Sequence, residues 1–301
     1  IARSLGRPVS TISREVRRHG GRARYRAESA EARAWSLGTR PKPCKLACQA
    51  ALRVAVARKL CLKWSPEQIA EWLKRRYPGR TAMHVSHETI YRSLFIQARG
   101  LLKKELLSHL RAGHRYRRRR QANTAAQQSL GPIPAAISIR ERPAEVEDRA
   151  VPGHWEGDLI VGTNNSYIAT LVERRSRFVL LAKVEDRGTA TVVAALIRKM
   201  QRLPRELRLS LTWDRGSEMA QHGEFTLATD MQVYFCDPQS PWQRGSNENT
   251  NGLLRQYFPK STDLSIHSQR HLDAVARQMN GRPRETLGFR SPAEVLAETL
   301  R

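Results

Sequence analysis

Short apolar runs of β type follow one another in the second half of the chain. DLIVG, YIATLVE and RFVLLAKV each predict a strand, and the polar breaks at Asn164-Asn165 and Arg174-Arg175-Ser176 predict the turns between them. Helical spacing takes over in TATVVAALIRKMQRL. LRLSLTW and MQVYFC then predict two more strands, with a helix-compatible segment between them.

Helical patterns close this half of the chain. One helix is predicted just after residue 245, and two more are predicted near residues 267–281 and 292–300. A meander of three strands followed by a helix, a strand, a helix, a strand and helices is the order of a ribonuclease-H-like α/β fold. We therefore predict such a domain over residues 150–301, with a mixed five-stranded sheet and flanking helices.

The first half of the chain predicts an all-α region. In IARSLGRPVSTISREVRRHG the pattern predicts a helix, a tight turn at Gly6 and a second helix with Ser10 as its N-cap. This is the layout of a helix-turn-helix DNA-binding module, here over residues 1–40, and a generic basic helical hairpin is the alternative. Because the chain opens with Ile1 rather than Met, inside the first predicted helix, we expect the module to be partial.

A second helix-turn-helix module is predicted within residues 41–113. WSPEQIAEWLKRRYPG carries a clear helix start, with Ser65 as N-cap and Pro66 at the first helical position. VSHETIYRSLF also predicts a helix with a serine N-cap, here Ser86, and with apolar residues that face inward. A plain helical subdomain that does not touch DNA is the alternative.

The charge of the chain is strongly uneven. The net charge is +25, and residues 1–120 hold 30 of the 53 Lys and Arg but 7 of the 28 acids. A basic half of this kind is typical of a protein that binds a polyanion. No apolar run has the length of a spanning helix, and no signal-peptide pattern opens the chain, so nucleic acid is favoured over a membrane surface.

The segment 114–149 is predicted to be a basic, Pro-rich linker. Its run Arg117–Arg120 either grips backbone phosphates or is a solvated charge cluster. The four cysteines are too few for a disulfide framework, and their spacing matches no familiar zinc pattern. We expect ordinary thiols in a reducing cytoplasm.

Three acids stand where carboxylates are costly without a cation. Asp158 lies in HWEGDLIVG and Asp214 ends LRLSLTWD, both in β-prone runs, while Glu248 opens the predicted helix in QRGSNENTNGLLRQYFPK. Hard divalent cations such as Mg²⁺ prefer such oxygen ligands, and two of them can activate the attacking oxygen and stabilise the leaving oxygen of a phosphoryl transfer. The pattern predicts a metal-dependent phosphodiester enzyme.

These motifs resemble the DDE-type bacterial transposases, most closely the insertion-sequence-thirty family. GHWEGDLI, TWDRGSEM, PWQRGSNENTNGLLRQYFPK and NGRPRETLGFRSPAEV match that family's pattern in order, as do LGRPVSTISREVRR and SPEQIA…SHETIYRSLF in the DNA-binding half. The interval from Asp214 to Glu248 holds 33 residues, as the family pattern expects. The resemblance covers essentially the whole chain.

The resemblance implies a transposase that binds the terminal inverted repeats of its element and performs Mg²⁺-dependent cleavage and strand transfer. Asp158, Asp214 and Glu248 would be both the catalytic residues and the ligands of two Mg²⁺ ions, for which Mn²⁺ can substitute. The partners implied are the inverted repeats, the target DNA and further copies of the chain. A bacterial protein of this kind would work in the cytoplasm, at the nucleoid.

Polar and basic residues of the predicted helices are candidate DNA contacts. They are Ser10, Ser13, Arg14, Arg17, Arg18, His87, Thr89, Arg92, Arg244, Arg255 and Lys260. Two functions remain as alternatives to the transposase: a non-catalytic DNA-binding regulator, and a nuclease of the same fold without strand transfer. Glu156 is either an accessory metal ligand or an acid that is exposed or paired with arginine.

Overall fold

A computed structural model describes residues 1–39, 44–95, 102, 104–110, 133, 135–143, 146, 150–238 and 240–300. The α-helices of these residues are α1 (Val9–Arg18), α2 (Gly21–Arg24), α3 (Ala27–Thr39), α4 (Lys45–Cys48), α5 (Ala50–Cys61), α6 (Pro66–Arg76), α7 (His87–Phe95), α8 (Thr189–Met200), α9 (His222–Thr229), α10 (Gly245–Leu254), α11 (Gln269–Asn280) and α12 (Pro292–Thr299). The strands are β1 (His154–Val161), β2 (Tyr167–Glu173), β3 (Val179–Val184), β4 (Ser210–Trp213) and β5 (Gln232–Phe235). In the described residues, no helix is both long and apolar enough to cross a membrane.

The five strands form one mixed sheet in the order β3-β2-β1-β4-β5. The meander β1-β2-β3 is antiparallel, whereas β4 and β5 lie parallel to β1. The turn between β1 and β2 is formed by Asn164 and Asn165, which both adopt positive φ, a conformation that asparagine tolerates well. The predicted ribonuclease-H-like α/β fold with flanking helices is confirmed.

Helices cover both faces of the sheet because side chains alternate along each strand. On one face Trp155, Trp213 and Phe225 belong to a core that α8 and α9 complete. On the other face Ile160 and Phe258 belong to a second core, to which α10 and α11 contribute. Asp158 has the parity of Ile160, so its side chain lies on the α10 face.

Contacts divide the chain into two compact units, Ile1–Cys48 and Gln49–Arg301. In the first unit, residues 2–6 form turns rather than the predicted first helix, and Gly6 has the positive φ expected of the tight turn. The prediction that Ser10 is the N-cap of this helix was wrong. Pro8 holds that position, because α1 already begins at Val9. The fixed φ of proline suits a helix entry.

The second unit contains the predicted second helical module as well as the α/β domain. Ser65 and Gln68 form a reciprocal capping box at the start of α6, which confirms the predicted helix start. Ser86 Oγ accepts a hydrogen bond from the amide of Thr89 at 3.2 Å, and so caps α7 as predicted. The four-part domain division stays a prediction.

Most of the predicted linker, including Arg117–Arg120, lies outside the described residues. Its described part includes a short 3₁₀ helix at Ile139–Glu141, and the amide of Phe235 donates to the carbonyl of Ile137 at 2.9 Å. This part of the linker therefore packs along the edge strand β5 instead of standing away from the domain.

Candidate active site

Parallel pairing of β1 with β4 brings two of the predicted acids to one end of the sheet. Asp158 lies near the middle of β1, and Asp214 directly follows the last residue of β4. In the register of the pair, Glu156 of β1 stands opposite Thr212 of β4. Asp158 and Asp214 each lie two residues further along their strands, which places them side by side.

A single guanidinium joins these two acids. Arg244 Nη1 lies 3.4 Å from Asp158 Oδ1, and Arg244 Nη2 donates to Asp214 Oδ2 at 3.0 Å. Nη1 also donates to the carbonyl of Gly157 at 2.7 Å. Only 13% of the Arg244 side chain is exposed. The sequence analysis placed Arg244 among the DNA contacts, whereas here its guanidinium binds the two acids.

Burial and opposite charge shift the pKa values of Asp158 and Arg244. Burial raises the pKa of Asp158, the Arg244 guanidinium opposes that rise, and the charge of Asp214 adds to it. Burial disfavours the charged form of Arg244, but the two carboxylates outweigh it and raise its pKa. The two acids are therefore in an environment that calls for positive charge.

Helix α10 is held against β1 by two asparagines. Asn251 Nδ2 donates to Asp158 Oδ2 at 2.9 Å, which fixes the carboxylate on the side away from Arg244. Asn247 Nδ2 donates to the carbonyl of Glu156 at 3.2 Å, and Thr170 on β2 donates to Asn247 Oδ1 at 3.0 Å. The sequence analysis singled out neither asparagine and did not predict their contacts with β1.

Glu248 lies in the first turn of α10, and its side chain is exposed. On a helix, residues three positions apart are neighbours, so Glu248 lies next to Asn251, while Arg244 is the N-cap residue at the start of the same helix. Both of those side chains contact Asp158. In the described part of the chain, no three His, Cys, Asp or Glu side chains are already grouped as a metal site.

The donor set suits a hard divalent cation. Asp158 and Asp214 offer carboxylate oxygens that converge on one cationic group, and their side chains remain 28% and 35% exposed. Oxygen ligands with an open side are what Mg²⁺ needs, because it keeps waters and substrate oxygens in its shell. The oxygen donors of the two aspartates therefore fit such an ion in chemical type, although Arg244 contacts them in this structure.

Glu156 is paired with an arginine. It is 1% exposed, lies 3.3 Å from Arg174 Nη1, and accepts the amide of Asn247 at 2.9 Å. Arg174 stands in the predicted turn and was not singled out by the sequence analysis. The sequence could have indicated this pair, because an acid on a buried strand needs a cation nearby. His154 is a hydrogen-bonded strand residue, with Nδ1 2.8 Å from Ser210 Oγ.

The other predicted DNA contacts lie on helix surfaces. Ser10, Ser13, Arg14, Arg17 and Arg18 are all exposed on α1. On α7, His87 and Arg92 are exposed and Thr89 is half-buried.

Two of the predicted DNA contacts lie just after helix α10. Lys260 is exposed, and both terminal nitrogens of Arg255 donate to the carbonyl of Val161 at 3.3 Å. Burial lowers the pKa of Arg255. The DNA-binding role of these residues, like that of the helical ones, stays a prediction.

Comparison with known proteins agrees with this architecture. The integrase core domain family matches residues 148–241, a range that holds all five strands and ends four residues before α10 begins at Gly245. The transposase InsI of the insertion sequence element IS30A from Escherichia coli K12 is 49% identical over 98% of this chain and 77% of its own length. The transposase of IS1086 from Cupriavidus metallidurans is also 49% identical, over all of this chain and 88% of its own.

One solved structure shows a weaker likeness. The catalytic core domain of BIV integrase covers 49% of this chain and 95% of its own at 19% identity, with a TM-score of 0.38. The family assignment does not depend on it, since the sequence identity to the transposases extends over the helical region and the α/β domain together. The chain belongs to the insertion-sequence-thirty family of DNA transposases, enzymes that act as polynucleotidyl transferases.

Proposed function

We propose that Asp158, Asp214 and Glu248 form the catalytic centre of this transposase and hold two divalent ions, Mg²⁺ in the cell with Mn²⁺ as a substitute. The observation that carries the proposal is the convergence of Asp158 and Asp214 on the guanidinium of Arg244. Glu248 supports it, because it lies on α10 next to Asn251, whose side chain contacts Asp158. Ions bound there supply activation of an attacking hydroxyl and stabilisation of the leaving oxygen.

The protein's own residues set the geometry of this centre. The central strand β1 holds the backbone of Asp158, and Asn251 fixes one of its carboxylate oxygens. Asn247 anchors the first turn of α10 to β1, and so places Glu248 on the same side of the sheet. Holding reacting groups in a fixed arrangement is itself a large part of catalysis.

DNA recognition belongs to the basic residues outside this centre. The helical region binds the terminal inverted repeats, with α1 and α7 presenting the exposed residues named above. Arg255 and Lys260 lie after α10 and contact backbone phosphates near the scissile bond. Because two ends are joined in one event, the active form on DNA is a homo-oligomer. The protein acts in the cytoplasm, at the nucleoid.

The test is a strand-transfer reaction. The chain is incubated with a duplex that carries an inverted-repeat end, with and without Mg²⁺, and the products are separated on a denaturing gel. Joined products are expected with Mg²⁺, and Asp158→Asn, Asp214→Asn or Glu248→Gln should abolish them while end binding persists. Cut but unjoined DNA would indicate a nuclease, and binding without any product would indicate a regulator.

A salt titration tests the DNA contacts separately. Neutralising Z phosphates gives a slope of about −0.9Z when log K is plotted against log salt. Arg17→Gln and Arg92→Gln should each flatten that slope by about one unit. Arg290→Gln removes an arginine that pairs with Glu298 at the far end of the chain and serves as the matched control.

A further inference from the structure

Arg244 binds the two aspartates through the ends of its guanidinium only. Nη1 contacts Asp158 and the carbonyl of Gly157, and Nη2 contacts Asp214. Nε is buried and has no hydrogen-bond partner in the described part of the chain. The buried Nε is a donor left unmet, which carries a cost.

The oxygens that Arg244 binds are those that a divalent ion needs. Asp158 Oδ1 and Asp214 Oδ2 lie within 3.4 Å of its terminal nitrogens. A divalent ion on the same oxygens would stand in direct contact with the guanidinium, and like charges at that distance repel each other. The arginine and the metal therefore compete for the two carboxylates.

The side chain of Arg244 can leave the two aspartates without disturbing helix α10. It is the N-cap residue of α10, and its side chain makes no cap hydrogen bond. The helix is anchored to β1 by Asn247 instead. The side chain of Arg244 can therefore turn away from the two aspartates while Glu248 and Asn251 keep their positions.

We propose that Arg244 is the internal counter-cation of the active site, which a divalent ion displaces from Asp158 and Asp214, and that the displaced guanidinium then pairs with a phosphate of the DNA. This inference rests on the proposed function, because it takes the two aspartates as metal ligands. In the protein without DNA, Arg244 lowers the affinity for divalent ions. DNA offers the guanidinium a new partner, so DNA and metal each strengthen the binding of the other.

Metal affinity measured without DNA tests the exchange. Mn²⁺ is titrated into the full chain, and the free ion is counted by electron paramagnetic resonance. Arg244→Gln should bind Mn²⁺ at least about tenfold more tightly than the wild type, because a positive charge is removed from beside the ligands. A side chain that merely supported the site would give the opposite result, since its loss would weaken the ligands' geometry.

Two further variants keep the result decisive. Arg244→Lys retains the charge but cannot span both carboxylates, so its Mn²⁺ affinity should lie between wild type and Arg244→Gln. This variant serves if Arg244→Gln does not fold, as judged by circular dichroism. Arg290→Gln, which removes the same charge from an ion pair with Glu298, should leave the affinity unchanged.

Short duplex DNA supplies the second readout. Its addition should tighten Mn²⁺ binding in the wild type and have little effect in Arg244→Gln. Unchanged or weaker Mn²⁺ binding in both Arg244 variants would overturn the inference. If Asp158→Asn abolishes Mn²⁺ binding in that case, the proposed function stands and only the exchange fails. If Asp158→Asn binds Mn²⁺ as the wild type does, the proposed metal centre fails as well.

Discussion

The ion pair between Glu156 and Arg174 is expected to contribute strongly to the stability of the fold where helix α10 packs on β1. Both side chains are buried, 1% and 7% exposed, with Glu156 Oε1 3.3 Å from Arg174 Nη1. Glu156 also accepts the amide of Asn247 at 2.9 Å. The substitution Glu156→Gln keeps the shape and one hydrogen-bond acceptor but removes the buried negative charge that faces Arg174.

The size of the effect follows from burial. Removing one partner of a buried ion pair typically destabilises a protein by about 3–5 kcal/mol, since the remaining charge is uncompensated. A matched pair on the same domain has the same distance but an exposed partner: Glu218 lies 3.3 Å from Arg187, whose side chain is 52% exposed. Water can solvate that arginine, so Glu218→Gln should cost about 1 kcal/mol or less.

Urea unfolding measures both values, with the fluorescence of buried Trp155 and Trp213 as the signal. The double variant Glu156→Gln with Arg174→Met should recover much of the loss, because it removes both buried charges of the pair together. The reasoning is refuted if Glu156→Gln lies within about 1 kcal/mol of the wild type, or costs no more than Glu218→Gln.

Three further outcomes are expected. Gly157→Ala should destabilise the protein by about 1–3 kcal/mol in the same unfolding assay, because its Cβ would collide with the ring of Trp213. A normal stability would contradict that packing. Burial raises the pKa of Cys236 to about 11, so N-ethylmaleimide at pH 8 should label exposed Cys61 and spare Cys236, as mass spectrometry of the folded protein would show. Hydrogen bonds from the following loop lower the pKa of Asp263 from 3.8 to about 2, so its carboxylate stabilises the fold above pH 3.8 and that contribution is lost as the pH falls toward about 2. Acid titration of Asp263→Asn should lack this component.

The sheet could be predicted from the sequence because its signals are local. The β-branched runs and the Asn164-Asn165 turn specify the meander, and the structure places strands where those runs lie. The N-caps Ser65 and Ser86 predicted helix starts for the same reason, since both partners of each cap are close in sequence. The first predicted helix was wrong: residues 2–6 form turns, and Gly6 leaves the helical region of the backbone with its positive φ.

The interactions of the active site could not be predicted, because they join distant parts of the chain. Arg244 and Asp158 are 86 positions apart, and nothing in PWQRGSNEN distinguishes an arginine that binds acids from one that binds phosphate. The same holds for Arg174, whose position in a turn suggested exposure. The positions of the acids followed from strand ends and helix starts, whereas their partners depend on how α10 packs on β1.

The central claim is that Asp158, Asp214 and Glu248 hold divalent ions, and anomalous diffraction from crystals of the protein grown with Mn²⁺ and an end-containing duplex tests it most directly. The account predicts an anomalous peak bonded to carboxylate oxygens of both aspartates at about 2.0–2.2 Å, with Glu248 turned toward the metal centre and Arg244 moved to a phosphate. Manganese bound elsewhere, with Arg244 still bridging the two aspartates, would contradict it.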